Sequence, residues 1–218
     1  MSGLESQAVL GQAPAGWQWG TFRRDPCELA PPSAEPVLIL KFGGSLLSRP
    51  GWPALLVSLI AACGQRSCRL VVGGGAVVDG LRTLDTVAPQ SAALMHALAI
   101  DALRLTGRLV AETLAVPMVA AVEDGGCVAV LDIPAWLGVQ SRSAPLPMGW
   151  EVTSDAIAAQ IAVEHGGQLM LVKSVPPPPC PGGVDCVSAL AAAGWVDQYF
   201  PRVAEPLAVI EWAAPDMA

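Results

Sequence analysis

Val37-Leu38-Ile39-Leu40-Lys41-Phe42-Gly43-Gly44-Ser45 is the stretch that decides the fold. Four consecutive apolar residues predict a strand covered on both faces, because a half-exposed strand would alternate apolar with polar positions. The run stops at a lysine, and two glycines follow at once. Trp52 to Cys63 then reads as a helix with Pro53 in its first turn. Strand, glycine turn and helix in that order are the opening unit of an α/β protein.

The same grammar continues outward. Arg69-Leu70-Val71-Val72 predicts a second strand that ends in Gly73-Gly74-Gly75, and a helix follows over 76–84. The longest helical pattern is 91–115. Short strands are expected at 116–122 and 128–131, with a turn at Gly125-Gly126. After a Pro-rich loop at 144–149, Thr153-Ser154-Asp155 has the side-chain oxygens that begin a helix, here 156–165. Leu169-Met170-Leu171-Val172 is the next strand and ends at Lys173, four prolines occupy 176–179, and a helix (187–193) and a last strand (207–211) follow. Alternating strands and helices predict an α/β fold, a three-layer αβα sandwich with a mainly parallel sheet. Residues 36–218 read as a single domain, and 1–35 as a poorly ordered extension with Trp17 and Trp19 as its packing residues.

Composition narrows the function. Of 218 residues, 53% are hydrophobic and 14% charged, so a large core is available and a disordered chain is excluded. Mean hydropathy is +0.50, yet every apolar stretch is cut by Gly, Pro or charge before it reaches membrane-spanning length, and Ala92–Val119 carries Asp101, Arg104, Arg108 and Glu112. No basic-then-apolar leader opens the chain, which predicts a cytoplasmic protein without a membrane partner. The net charge of −7 argues against nucleic acid. The six cysteines (27, 63, 68, 127, 180, 186) form no CxxC pair and read as buried free thiols, although Cys180 and Cys186 flank a Pro/Gly loop where they can approach each other. Surplus apolar helix faces predict a homo-oligomer.

Ten of the twelve basic residues are arginine, and the two lysines are Lys41 and Lys173. Where arginine serves every general need for positive charge, lysine at two strand ends points to a task suited to a compact ammonium group. Glycine at such ends lets backbone N–H groups approach an anion closely, and in open α/β sheets ligands bind at the carboxyl ends of strands. The glycine turns and lysines therefore predict an anion site. GxxxxGK[ST], the protein-kinase set, GxSxG and GxGxxG are all missing, which argues against P-loop, serine-hydrolase and dinucleotide chemistry.

VLILKFGGSLL (37–47), LVVGGGAVVD (70–79) and VTSDAIAAQIA…LMLVKS (152–174) together resemble the amino acid kinase superfamily (acetylglutamate, carbamate, aspartate and UMP kinases) over roughly residues 37–212. The resemblance implies an ATP-dependent kinase using Mg²⁺. It implies that Lys41, Gly43, Gly44 and Ser45, with Ser174, hold phosphate groups of the nucleotide, that Gly73, Gly74 and Gly75 hold the acceptor, and that Asp155 orders Lys41 and Lys173. WEVTSDAIAA (150–159), LVKS (171–174), His96 and WVDQYFP (195–201) are similar to one subgroup, the [5-(aminomethyl)furan-3-yl]methyl phosphate kinase of methanofuran biosynthesis. The chain departs from the family where V-D-G is expected after Lys173 and Pro176–Pro179 stand instead.

On this reading Lys41, Lys173 and Asp155 are catalytic, with the lysines on opposite sides of the moving phosphoryl and Asp155 reaching Mg²⁺ directly or through water. The acceptor is a small phosphate or carboxylate; a phosphate monoester with its second pKa near about 6 needs no general base. Arg82, Arg104 and Arg108 are candidates to clamp it. His96 reads as a core histidine, and the seven tryptophans as core or interface. The alternative is a non-catalytic nucleotide- or oxyanion-binding protein on the same fold, which the proline run favours.

Overall fold

In the computed structural model, residues 15–23, 36–139, 146–179 and 186–216 are described. The strands are β1 (Trp17–Arg23), β2 (Leu38–Phe42), β3 (Cys68–Val72), β4 (Met118–Val119), β5 (Val128–Leu131), β6 (Gln168–Val172) and β7 (Val209–Pro215). The helices are α1 (Trp52–Ala62), α2 (Gly75–Val87), α3 (Ala92–Leu114), α4 (Ile133–Val139), α5 (Ser154–Glu164), α6 (Cys186–Ala192) and α7 (Phe200–Val203), with a 3-10 turn at Gly44–Ser48. One sheet of order β1-β7-β6-β2-β3-β5-β4 contains all the strands, every pairing parallel except β1 with β7.

The continuous apolar strands are buried on both faces because helices cover both. Side chains alternate across a strand. Leu38, Leu40 and Phe42 of β2 pack with Leu70, Val72, Met170 and Val172 against α1. Ile39, Val71, Leu169 and Leu171 pack on the opposite face with α5, α6 and α7. Helix α5 has no polar side to show: Ser154 to Ala162 are all buried, and its alanines let its backbone lie close to the sheet. Truncating Ile157 or Ile161, each almost fully buried, would cost about 2–5 kcal/mol.

Three expectations about strands need correction, and one about the cysteines. Residues 17–23, assigned to a poorly ordered extension, form the antiparallel edge strand β1, with Trp17 buried and its Nε1 donating to Ser58 Oγ. The strand expected over 116–122 shrinks to Met118–Val119. Buried Arg69 takes over there, donating to the carbonyls of Val122 and Gly126 in the turn, so those acceptors are satisfied by a guanidinium rather than a ladder. The last strand runs Val209–Pro215 rather than 207–211, because β1 and β6 pair along it. Among the cysteines, Cys63 and Cys68 are buried free thiols, Cys127 is free but exposed, and Cys186 is disulfide-bonded instead of free; Cys27 and Cys180 lie outside the described residues. No helix among the described residues is long and apolar enough to cross a membrane.

Candidate active site

Strands β2 and β6 are parallel neighbours with Lys41 opposite Leu171. Lys173 lies two residues beyond Leu171 and so projects from the same face as Lys41, the face covered by α5. Asp155 stands in the first turn of α5, directly above both. Lys41 Nζ is 2.9 Å from Asp155 Oδ1, and Lys173 Nζ is 2.6 Å from Asp155 Oδ2. One carboxylate thus bridges the chain's two ammonium groups, and all three side chains are largely withdrawn from water.

The electrostatics follow. Burial raises the Asp155 carboxyl, but the neighbouring ammonium charges outweigh it and hold the group below its ordinary value. Burial and the Lys41 charge lower Lys173 from 10.5 to about 8, against the opposing pull of Asp155. Two cations share the one carboxylate of Asp155 in a desolvated place, and their mutual repulsion is a cost that a bound anion would relieve. The Trp195 ring lies under the Lys173 ammonium at 5.3 Å and its Nε1 donates to the carbonyl of Val175.

The two glycine turns lock together beside this cluster. A Cβ on Gly44 would fall on the Gly75 amide nitrogen and 2.6 Å from the Gly73 carbonyl oxygen, and Gly75 adopts φ +50°. Only bare backbone fits that contact. Gly44 and Ser45 open the 3-10 turn and Gly75 opens α2, where first-turn N–H groups have no helical acceptor. Ser45 Oγ and Ser174 Oγ meet at 3.3 Å, joining the first glycine turn to the end of β6.

A cavity of ≈ 250 Å³ opens against these turns. Gly44, Ser45, Gly73, Gly74, Gly75 and Ser154 form its polar end, while Val78, Ile100, Leu103, Val152 and Ile157 form an apolar wall. Arg82, His96 and Trp150 line it too. The Arg82 guanidinium stacks on Trp150 at 5.0 Å and pairs with Asp79, while Trp150 Nε1 donates to Asp85. His96, expected in the core, is instead a half-buried part of this wall. Arg104 pairs with Asp132 and Arg108 faces solvent beside Glu112, so neither lines the cavity. Trp136 is fully buried as expected of a tryptophan, whereas Trp150 and Trp195 attend the site.

Sequence reasoning did not find Asp197. Its Oδ2 accepts from Thr153 N, Thr153 Oγ1 and Ala156 N at 3.0, 2.8 and 3.0 Å, and its Oδ1 accepts from Tyr199 N and Phe200 N. The signal was an Asp three residues before Phe200-Pro201, the composition of a helix start.

The donor set suits a phosphate-bearing ligand: interlocked glycine turns that a Cβ would fill, with two ammonium groups beside them. Both Asp155 oxygens face ammonium groups, Oδ1 that of Lys41 and Oδ2 that of Lys173. Among the described residues, no group of three or more His, Cys, Asp or Glu side chains is placed to hold a metal.

No family model matches the chain, and no curated protein matches it. Solved structures do. Uridylate kinase from Archaeoglobus fulgidus superposes with a TM-score of 0.57 at 16% identity over 82% of this chain and 90% of that one. Aspartate kinase from Synechocystis gives 0.57 at 15% identity over 83% of this chain, which spans 40% of that protein's length. Mainly parallel sheet, two helical layers and these neighbours together show that the chain has the amino acid kinase-like fold.

Proposed function

We propose that this protein is an ATP-dependent kinase that transfers the γ-phosphoryl group to a small anionic acceptor. The observation that carries the reading is the carboxylate of Asp155 gripping Lys41 and Lys173 on one sheet face, beside two interlocked glycine turns. Phosphoryl transfer asks a protein mainly for positioning and for positive charge around three equatorial oxygens. Lys41 and Lys173 flank the moving group, and the amides of Gly44 and Gly74 donate to its oxygens, while Gly43 shapes the turn with its own N–H held by the Val172 carbonyl. Ser45 and Ser174 hold the nucleotide phosphates, and Gly73, Gly75 and Arg82 hold the acceptor in the adjoining cavity. Magnesium carried by the nucleotide supplies further neutralising charge.

The finer reading is a phosphate-monoester acceptor, such as an aminomethylfuran phosphate of methanofuran-type cofactor biosynthesis in C1 metabolism. It is supported by the likeness of WEVTSDAIAA, LVKS and WVDQYFP to that kinase subgroup. A cytoplasmic homo-oligomer completes the proposal. Leu94, Leu98, Leu105 and Leu109 are exposed on α3 and fall within one narrow arc at helical spacing, an apolar stripe suited to a second copy. Light scattering should give a mass at or above twice 22.4 kDa; a monomer would reject it.

The test of function is a screen of phosphorylated and unphosphorylated small acceptors for ADP release, with calorimetric titration of ATP·Mg²⁺ in parallel. Acceptor-dependent ADP release by wild type, lost in Lys41→Met, supports the kinase. Binding of nucleotide or phosphate without turnover of any acceptor selects the non-catalytic binding protein. No nucleotide binding at millimolar concentration overturns the kinase.

A further inference from the structure

We propose that Asp197 is a positioning residue for the ammonium pair: its carboxylate ties the first turn of α5, and with it Asp155, to the start of α7. As an account of catalysis this rests on the phosphotransfer reading above; as an account of geometry it stands alone.

Five hydrogen bonds converge on this one partly buried carboxylate. Oδ2 holds the backbone N–H of Thr153, the Thr153 hydroxyl and the backbone N–H of Ala156. These residues bracket Asp155, whose own N–H donates to Thr153 Oγ1 at 3.3 Å. Rotation or retreat of the first turn of α5 would break all these contacts together, so Asp197 sets the height of Asp155 above Lys41 and Lys173. Oδ1 anchors the other end, accepting from Tyr199 N at 3.1 Å and Phe200 N at 2.8 Å. Phe200 is fully buried against the sheet-facing core, and it gives the clamp a fixed base.

The same short loop supplies a second contact. Trp195, two residues earlier, lies under the Lys173 ammonium at 5.3 Å. Lys173 is thus faced by Lys41 from β2, Asp155 from α5, and Trp195 and Asp197 from the loop before α7. The electrostatics run the same way. Burial and the negative charge of Asp155 push the Asp197 carboxyl above its ordinary value, while its hydrogen bonds to Ala156 and Thr153 oppose them. Asp197 in turn adds to the pull that keeps Lys173 protonated.

The chain's two lysines make the test direct, because labelled lysine side chains give two Nζ signals to follow by NMR. In Asp197→Asn one oxygen acceptor becomes an NH₂ donor and the charge is lost. Lys173 is then expected to titrate about half a pH unit or more below its wild-type value, and kcat to fall about tenfold to a hundredfold as the ammonium pair loses its alignment. A purely structural cap predicts something else: a lowered Tm, with kcat of the folded variant unchanged. That result would overturn the inference. Thr153→Val keeps the Asp197 charge and removes the hydroxyl contacts with Oδ2 and with Asp155 N, so a shifted Lys173 Nζ signal in it reports alignment alone, and an unchanged signal in the folded variant would overturn the inference. The lysine titration needs no turnover, so a wild-type protein without kinase activity would sink the function and leave this inference to be decided by the NMR signals.

Discussion

Replacing Asp155 with asparagine keeps the side-chain volume but removes the one negative charge that Lys41 and Lys173 share at 2.9 and 2.6 Å. Lys173 ionises at about 8 in the folded protein against 10.5 when free. At about 1.4 kcal/mol per unit, keeping it charged costs roughly 3 kcal/mol more than in the unfolded chain. Without Asp155 its pKa drops further, and at pH 7 the amine releases its proton. That escape costs roughly 5 kcal/mol, the free energy of deprotonating an ordinary lysine at pH 7. The destabilisation through Lys173 is therefore the difference, about 1–2 kcal/mol. This is well below the ~3–5 kcal/mol of breaking a buried pair whose survivor stays charged. Tm should fall by about 2–8 °C, read by scanning calorimetry. Activity should suffer far more: an uncharged Lys173 leaves one positive group at the moving phosphoryl, and losing one such preorganised donor costs about 10²–10³-fold in kcat. ADP release against a working acceptor measures it. A rate within about threefold of wild type at pH 7 would refute the reasoning, because the ammonium pair would then not need its shared counter-ion.

The same cluster sets a pH profile. The rate constant for free enzyme should decline as pH rises through about 8, where Lys173 loses its proton, and the decline should be absent in Lys173→Met. Because the unfolded chain keeps that proton up to 10.5, it binds more protons between about 8 and 10.5, and Lys173 makes stability rise with pH across that window, measurable by urea unfolding. Gly44→Ala drives a methyl group into the Gly73–Gly75 backbone; it should destabilise by about 1–3 kcal/mol and abolish the calorimetric signal of ATP·Mg²⁺, and retained binding would count against the glycine cradle. Arg82→Ala should raise KM for the acceptor about tenfold while leaving that for ATP unchanged, since Arg82 lines the cavity and not the lysine cluster.

Most of the sheet was legible in local pattern. Leu38–Phe42 and Cys68–Val72 read as buried strands because their apolar runs reflect covering on both faces, a property written into each segment. Strand β1 was not legible. Trp17-Gln18-Trp19-Gly20-Thr21 has no burial period of its own, and it becomes a strand by pairing with β7, which is nearly two hundred residues away in the chain. His96 misled for a related reason. Its apolar neighbours Ala93, Leu94, Met95 and Leu98 suggest a core helix, but Met95 takes the buried face and leaves His96 on the cavity wall.

The sequence by itself determined the α/β class, the glycine turns at two strand ends and the singling-out of Lys41 and Lys173, because each depends on residue type and on neighbours a few positions away. Tertiary structure decided how these parts meet. Lys41 and Lys173 share a face through the register of β2 against β6, which no local pattern encodes. Asp155 reaches both lysines because α5 crosses that face, and Asp197 grips α5 from 41 and 44 residues along the chain. Propensity and periodicity act over one turn or one strand, whereas an electrostatic cluster is made by whichever distant segments the packed core brings within hydrogen-bond reach.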